Sequence, residues 1–220
     1  MWHSYWDRNP NAFLAISTNP INSVVPFAST LLYEYYCYNP FKIMGITHID
    51  SARSRSFAAN ALQVNPRQIQ IPVIGGHSTE TTVPLFSNLT PCHYSIDSCQ
   101  ADMLTRLVRK AGTEVVNYKY GRGSSVVGLA WSINEFVDNI LNAINGTEDI
   151  VHCYSANPHF GTRYFSGPTV IGPYGITQTC CDFSMSDYES FMLNSSVASL
   201  NHDIEVGENY VQVMQHTGRQ

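Results

Sequence analysis

Charge is scarce in this chain of 220 residues. Lys and Arg number 12 and Asp and Glu 17, together 13%, against roughly a quarter in ordinary soluble domains. Such a shortage leaves a surface of Ser, Thr, Asn and Gln, or one more covered than a monomer's. The balance is −5 and no basic run occurs. That excludes nucleic acid as an expected partner, because phosphate backbones call for clustered Lys and Arg. Long apolar runs are missing too: none approaches the ~18 residues of a membrane span. The six cysteines (Cys37, Cys92, Cys99, Cys153, Cys180, Cys181) contain no Cys-x-x-Cys pair. The expectation is free thiols in an intracellular protein, with no metal site. Three Asn-x-Ser/Thr matches, at Asn88, Asn145 and Asn194, carry no weight without a secretory signal. The opening MWHSYWDRNPN lacks the amphipathic, Arg- and Ser-rich character of a transit peptide.

What is present is a core. Apolar residues make up 44% and aromatics 12%, enough for one large domain or two small ones. AFLAIST (12–18) is apolar on both faces, as a buried parallel strand would be. INSVVPFASTLLYEYY (21–36) reads as a helix despite Pro26, KIMGITHI (42–49) as a second buried strand, and the segment from Asp50 as a helix with an acid at its start. Strand, helix, strand, helix is the order of a parallel α/β sheet. After Asn65-Pro66 the pattern shifts to α+β. QIQIPVI and TTVPLFS flank Gly-Gly-His as a hairpin-like pair, and helices follow at about 97–118 and 124–144. Strands are expected at 150–154 and 164–171, a helix at 184–209, and a loose tail after it. A two-stranded parallel sheet is marginal alone, so the sheet begins as though neighbouring strands were missing.

His77 stands directly after Gly75-Gly76 in IQIPVIGGHSTETTVPL. Glycines are common in turns for their positive φ, so a histidine tucked into a turn is the plainer reading. A carboxylate to orient the ring and a cation to hold a substrate would alter it. Asp50 and Arg53, three apart at a helix start, share a face. Two readings stay open: a surface pair worth less than about 1 kcal/mol, or an imidazole orienter beside a bidentate carboxylate clamp. Asn19, at the end of the first strand, faces the carboxyl-terminal sheet edge where α/β folds bind ligands.

Four motifs in order, STNPINSVVP, PFKIMGITHIDSARSRSFAA, IPVIGGH and AGTEVVNYKYGRGSS, make the chain resemble the malate dehydrogenases of mitochondrial and bacterial type. The resemblance runs from about residue 8 to about residue 210. It implies NAD-dependent interconversion of malate and oxaloacetate by hydride transfer, as in the tricarboxylic acid cycle. His77 would be the proton donor and acceptor, with Asp50 accepting its other N–H. Arg53 would grip the substrate's C1 carboxylate. Asn19 would bond the reacting oxygen or hold the nicotinamide side, Ser124 would pack against substrate and nicotinamide, and Leu129 would touch the nicotinamide. The implied fold is the C-terminal part of a Rossmann-type parallel sheet (1–65), then an α+β C-terminal catalytic domain (66–210) and a tail (211–220). A mitochondrial matrix location and a homodimer, or a heterodimer with a full-length paralogue, are implied as well.

The departures are equally specific. The family's glycine-rich βαβ unit has no counterpart, and no Gly-x-Gly-x-x-Gly occurs. The ribose-gripping acid and the mobile loop with two arginines also lack counterparts. Thr79 replaces a small glycine hinge, His48 a threonine, and Leu129 a methionine. Two readings therefore stand: part of an active malate dehydrogenase, or a catalytically inactive paralogue serving as a structural or partner subunit. A lactate-type dehydrogenase shares the Asp, Arg and His but fits NPINS and AGTEVV less well.

Overall fold

The computed structural model describes residues 9 and 12–217, with side chains described as far as 214. In chain order the elements are β1 (Leu14–Ile16), α1 (Ile21–Glu34), β2 (Ile43–Ile46), α2 (His48–Leu62), β3 (Val73–Gly75) and β4 (Thr82–Pro84). They continue with α3 (Ser98–Tyr118), α4 (Val126–Ile144), β5 (Asp149–Ala156), β6 (Tyr164–Gly172), β7 (Gly175–Thr179) and α5 (Asp187–Thr217). Seven strands form one mixed sheet in the order β1-β2-β5-β6-β3-β4, with β7 pairing β6. Among the described residues only β1 and β2 run parallel; β2 pairs β5 antiparallel through Gly45 opposite Tyr154. The parallel start and the antiparallel remainder thus share a single sheet.

Side-chain alternation along the strands explains the layering. On one face Ile43, Tyr154, Ile74 and Phe165 pack with α1 (Ile21, Val25) and α5 (Leu200, Ile204). On the other, Met44, Ile46, Val151 and Cys153 pack with Phe136, Ile140 and Ala143 of α4. A third cluster joins α2 to α3 through Ala58, Ala59, Ala101 and Leu104, over Ile69 and Ile71. Helix α1 lies close on the sheet because Gly45 presents no side chain to it. A Cβ there would fall 2.6 Å from Ile21 Cγ2 and 2.8 Å from Val25 Cγ2.

Proline 26 does not break α1. It lacks the N–H that would bond the carbonyl of Asn22, and the Tyr154 hydroxyl donates to that carbonyl at 3.4 Å. Helix α3 opens on a capping box in which Asp97 accepts from the Gln100 N–H and the Gln100 side chain accepts from the Asp97 N–H.

Three expectations are corrected. AFLAIST is not a doubly buried strand: β1 is the sheet's outer strand among the described residues, with Leu14 and Ile16 half-buried and Ala15 exposed. Strand β7, unforeseen, follows β6 across the Pro173-Tyr174 turn, where Gly172 pairs with Gly175. The helix expected to stop near 209 runs to Thr217, because Val211 is still buried; residues 218–220 of the expected tail lie outside the described residues. None of the six cysteines forms a disulfide, and no described helix is long and apolar enough to cross a membrane.

Candidate active site

Strand β2 delivers the chain to Thr47, and α2 begins at once, placing Asp50 in its first turn. A carboxylate suits this position, where unpaired N–H groups carry partial positive charge. Asp50 is only 4% exposed, so its charge needs partners. One is Arg53, whose Nη1 lies 3.6 Å from Asp50 Oδ1. The other arrives from far along the chain: Nδ1 of His77 is 2.5 Å from Asp50 Oδ2. Each carboxylate oxygen thus faces a different group.

The turn that brings His77 there depends on glycine. Gly75 has φ of 99°, and a Cβ on it would fall 2.1 Å from the Thr81 carbonyl oxygen. That conformation suits only a residue without a side chain. The loop beyond is tightly bonded. The Gly76 N–H donates to Thr81 O at 2.9 Å, and the Thr82 hydroxyl reaches the carbonyls of Gly76 (3.1 Å) and Ser78 (2.8 Å). The hydroxyls of Ser78 and Thr81 bond at 2.7 Å.

Nδ1 directed at Asp50 leaves Nε2 as the free ring nitrogen, available to accept a proton. Burial pulls the His77 pKa down, while the charge and hydrogen bond of Asp50 push it up and Arg53 opposes them; the result is a pKa above the usual histidine value. Such a ring holds a proton once it has taken one.

All six residues singled out from the sequence meet. Asn19, Asp50, Arg53, His77, Ser124 and Leu129 line one cavity of about 540 Å³. Asn19 comes from the end of β1, and Ser124 and Leu129 from the α3–α4 connection and the first turn of α4. Two further residues escaped the sequence reading. Asn22 of α1 accepts the His77 backbone N–H at 2.8 Å; its only signal was a polar residue amid an apolar stripe. Arg109 of α3 lines the cavity too, and nothing in the sequence distinguishes it from other surface cations of that helix.

His48 sits outside the cavity lining in a separate buried cluster. Its Nε2 lies 3.1 Å from Glu135 Oε2, which Arg55 Nη2 contacts at 3.2 Å. Its ring meets that of His152 edge to face, with centroids 5.9 Å apart. Burial depresses both histidines, His152 to about 3.

The fold, a mixed α/β sheet with helices on both faces, is shared with known proteins. Residues 47–211 match the family described as lactate/malate dehydrogenase, alpha/beta C-terminal domain. The mitochondrial malate dehydrogenases of Homo sapiens and Sus scrofa are 33% and 34% identical over 206 residues, which is 93% of this chain and 61% of each relative. Among solved structures, apo malate dehydrogenase from Picrophilus torridus superposes with a TM-score of 0.77 at 24% identity, covering 96% of this chain and 66% of that one. The Cryptosporidium parvum enzyme gives 0.77 at 24%, covering 94% and 68%; both likenesses concern the fold. The chain belongs to the lactate/malate dehydrogenase family, and it spans about three-fifths of the length of these curated relatives.

Proposed function

We propose that this chain supplies the substrate-binding and proton-transfer part of an NAD-dependent malate dehydrogenase that interconverts malate and oxaloacetate. The observation carrying the reading is the Asp50–His77 contact beside Arg53 within one cavity. In oxidation, Arg53 binds the carboxylate next to the reacting carbon through its planar fork of donors. That orients the neighbouring hydroxyl toward His77 Nε2. His77 takes the hydroxyl proton, and Asp50 stabilises the resulting imidazolium. In the reverse direction the imidazolium returns that proton to the carbonyl oxygen. Asn19 donates its amide N–H to the reacting oxygen, and Ser124 closes the polar wall.

The residues present fit one end of NAD. Asn19, Ser124 and the apolar Leu129 make a wall for a flat amide-bearing ring. The dinucleotide phosphates are not fitted: no Gly-x-Gly-x-x-Gly occurs, and the turns that lead from β1 into α1 and from β2 into α2 contain no glycine. The nicotinamide, when bound, supplies the two-electron acceptor. In this reading residues 1–65 correspond to part of a dinucleotide-binding domain and 66–210 to the substrate domain. The names of the relatives support a mitochondrial location and malate or oxaloacetate as substrates. A dimer, with itself or with a longer paralogue, belongs to the same proposal.

The test is oxidation of NADH with oxaloacetate by the purified chain, alone and mixed with a full-length family member. Turnover that His77→Asn abolishes supports the reading. A cavity that binds malate without turnover in either setting would favour the inactive-paralogue reading.

A further inference from the structure

Four of the chain's 13 tyrosines fall within six residues, YEYYCY at 33–38, and the proton chemistry at His77 uses none of them. They lie where α1 ends. That helix is 14 residues long, so its last turn stands about 20 Å from the first turn, which holds the His77 loop.

The helix closes in a costly way. The Tyr36 N–H donates to the Tyr33 carbonyl and the Cys37 N–H to the Leu32 carbonyl, each at 3.0 Å. Tyr36 takes the left-handed conformation that such a closure uses, with φ of 57°. Glycine is the usual residue there, because a side chain crowds the backbone. Burial does not offset that cost, since Tyr36 is 99% exposed. Packing within the chain therefore gives no reason for an aromatic ring at this position.

What the ring does border is a cavity of about 580 Å³, lined among the described residues by Tyr33, Glu34, Tyr36 and Tyr38. Tyr38 packs against the core cluster beneath α1. Its ring and that of Tyr33 are nearly perpendicular, with planes 72° apart and centroids 6.4 Å apart. A cation seated between them comes within about 6 Å of both centroids, the range of cation–π attraction. Aromatic faces carry negative potential, Glu34 adds a carboxylate, and no Lys, Arg or His lines the cavity among the described residues. The site favours a cation over an anion. A primary ammonium is strongly hydrated and needs acceptors for three N–H donors. A quaternary ammonium has no N–H and turns methyl groups to the ring faces.

We infer that Tyr33, Tyr36 and Tyr38 form an aromatic cage, closed on one side by Glu34, that binds a quaternary ammonium head group. The site is separate from the His77 cavity and does not rest on its chemistry.

The test follows the methyl protons of choline by NMR as the purified chain is added. Ring faces move such protons upfield, so caged choline should shift upfield. Two controls divide its features: the neutral isostere with tert-butyl in place of trimethylammonium, and ethanolamine, which keeps the charge without the methyl groups. Choline should bind about tenfold more tightly than either. Tyr36→Gly should remove most of the binding without lowering Tm, because glycine suits the left-handed position. Tyr33→Leu should lose the preference for choline over the neutral isostere, and Tyr33→Phe should keep it. An N-acetyl-trimethyllysine amide carries the same head group; whichever of it and choline binds more tightly assigns a peptide-borne or a free ligand. Equal affinity for choline and either control overturns the inference. So does choline binding that survives Tyr36→Gly, or the absence of an upfield shift.

Discussion

The backbone N–H of His77 donates to Oδ1 of Asn22 at 2.8 Å, tying the candidate proton-transfer residue to the first turn of α1. The same side chain donates through Nδ2 to Thr81 Oγ1 at 3.2 Å and to Asp203 Oδ2 at 3.0 Å. One buried amide therefore joins α1, the His77 loop and α5.

Asn22→Ala leaves buried polar partners unpaired, each costly without a hydrogen bond. The expected loss is about 2 kcal/mol, or roughly 4–8 °C in Tm for a domain of this size. Calorimetry checks it. Asn22→Leu, which restores the volume but not the bonds, should lose nearly as much; a neutral Leu variant would show that Asn22 only packs.

Asp50→Asn should reverse the direction of the His77 shift. Without the carboxylate, burial and Arg53 both lower the pKa, so the ring should titrate below the usual 6.5 rather than above it. An NMR pH titration of the imidazole reads this directly. The sign for stability follows from linkage. In the wild type the His77–Asp50 contribution is fully present below the unfolded pKa and is lost as pH rises through the raised folded value. Urea unfolding at acidic and alkaline pH should show that loss in the wild type and its absence in Asp50→Asn.

His152 and His48 act in the opposite sense. Their folded pKa values are depressed by burial, so the unfolded chain takes up protons first as pH falls below about 6.5. Each histidine should cost up to about 1.4 kcal/mol per pH unit in that range. His152 Nε2 has no hydrogen-bond partner, so His152→Leu should be tolerated at neutral pH. It should also reduce the steepness of the acid side of the stability profile. A profile unchanged by the substitution would contradict the assignment.

Gly207→Ala tests the contact between α1 and α5. A Cβ at 207 would sit 2.1 Å from the Ser23 carbonyl oxygen, a backbone atom that cannot rotate aside. Overpacking of this kind costs about 1–3 kcal/mol. Because Asn22 and Asp203 span the same contact, faster amide exchange at His77 should accompany the lower urea midpoint.

Several parts of this site were legible in the residues alone because their causes are local. Gly75-Gly76 announces a turn that L side chains avoid, and His77 follows it directly. Asp50 and Arg53 share a face because they stand three apart on a helix. The buried run Ile43–Ile46 reads as a strand from its unbroken apolarity. Strand β7 was not legible, since GITQT carries little apolar signal and is a strand only because β6 offers it a partner. The exposure of β1 was hidden for a related reason: an apolar run states that a strand could be covered, not that a neighbour covers it.

The chemistry divides along the same line. The sequence by itself determined the residue types, the turn and the helical spacing, since those depend on φ preferences and on neighbours within four positions. Only the tertiary structure decided that His77 meets Asp50 across 27 positions, and that Asn22 and Arg109 join them from two other helices. It also decided that burial and a buried carboxylate, acting against each other on His77, leave its pKa raised. Those outcomes depend on dielectric and on distance in space, quantities that exist only once the sheet has closed its helices over the cavity.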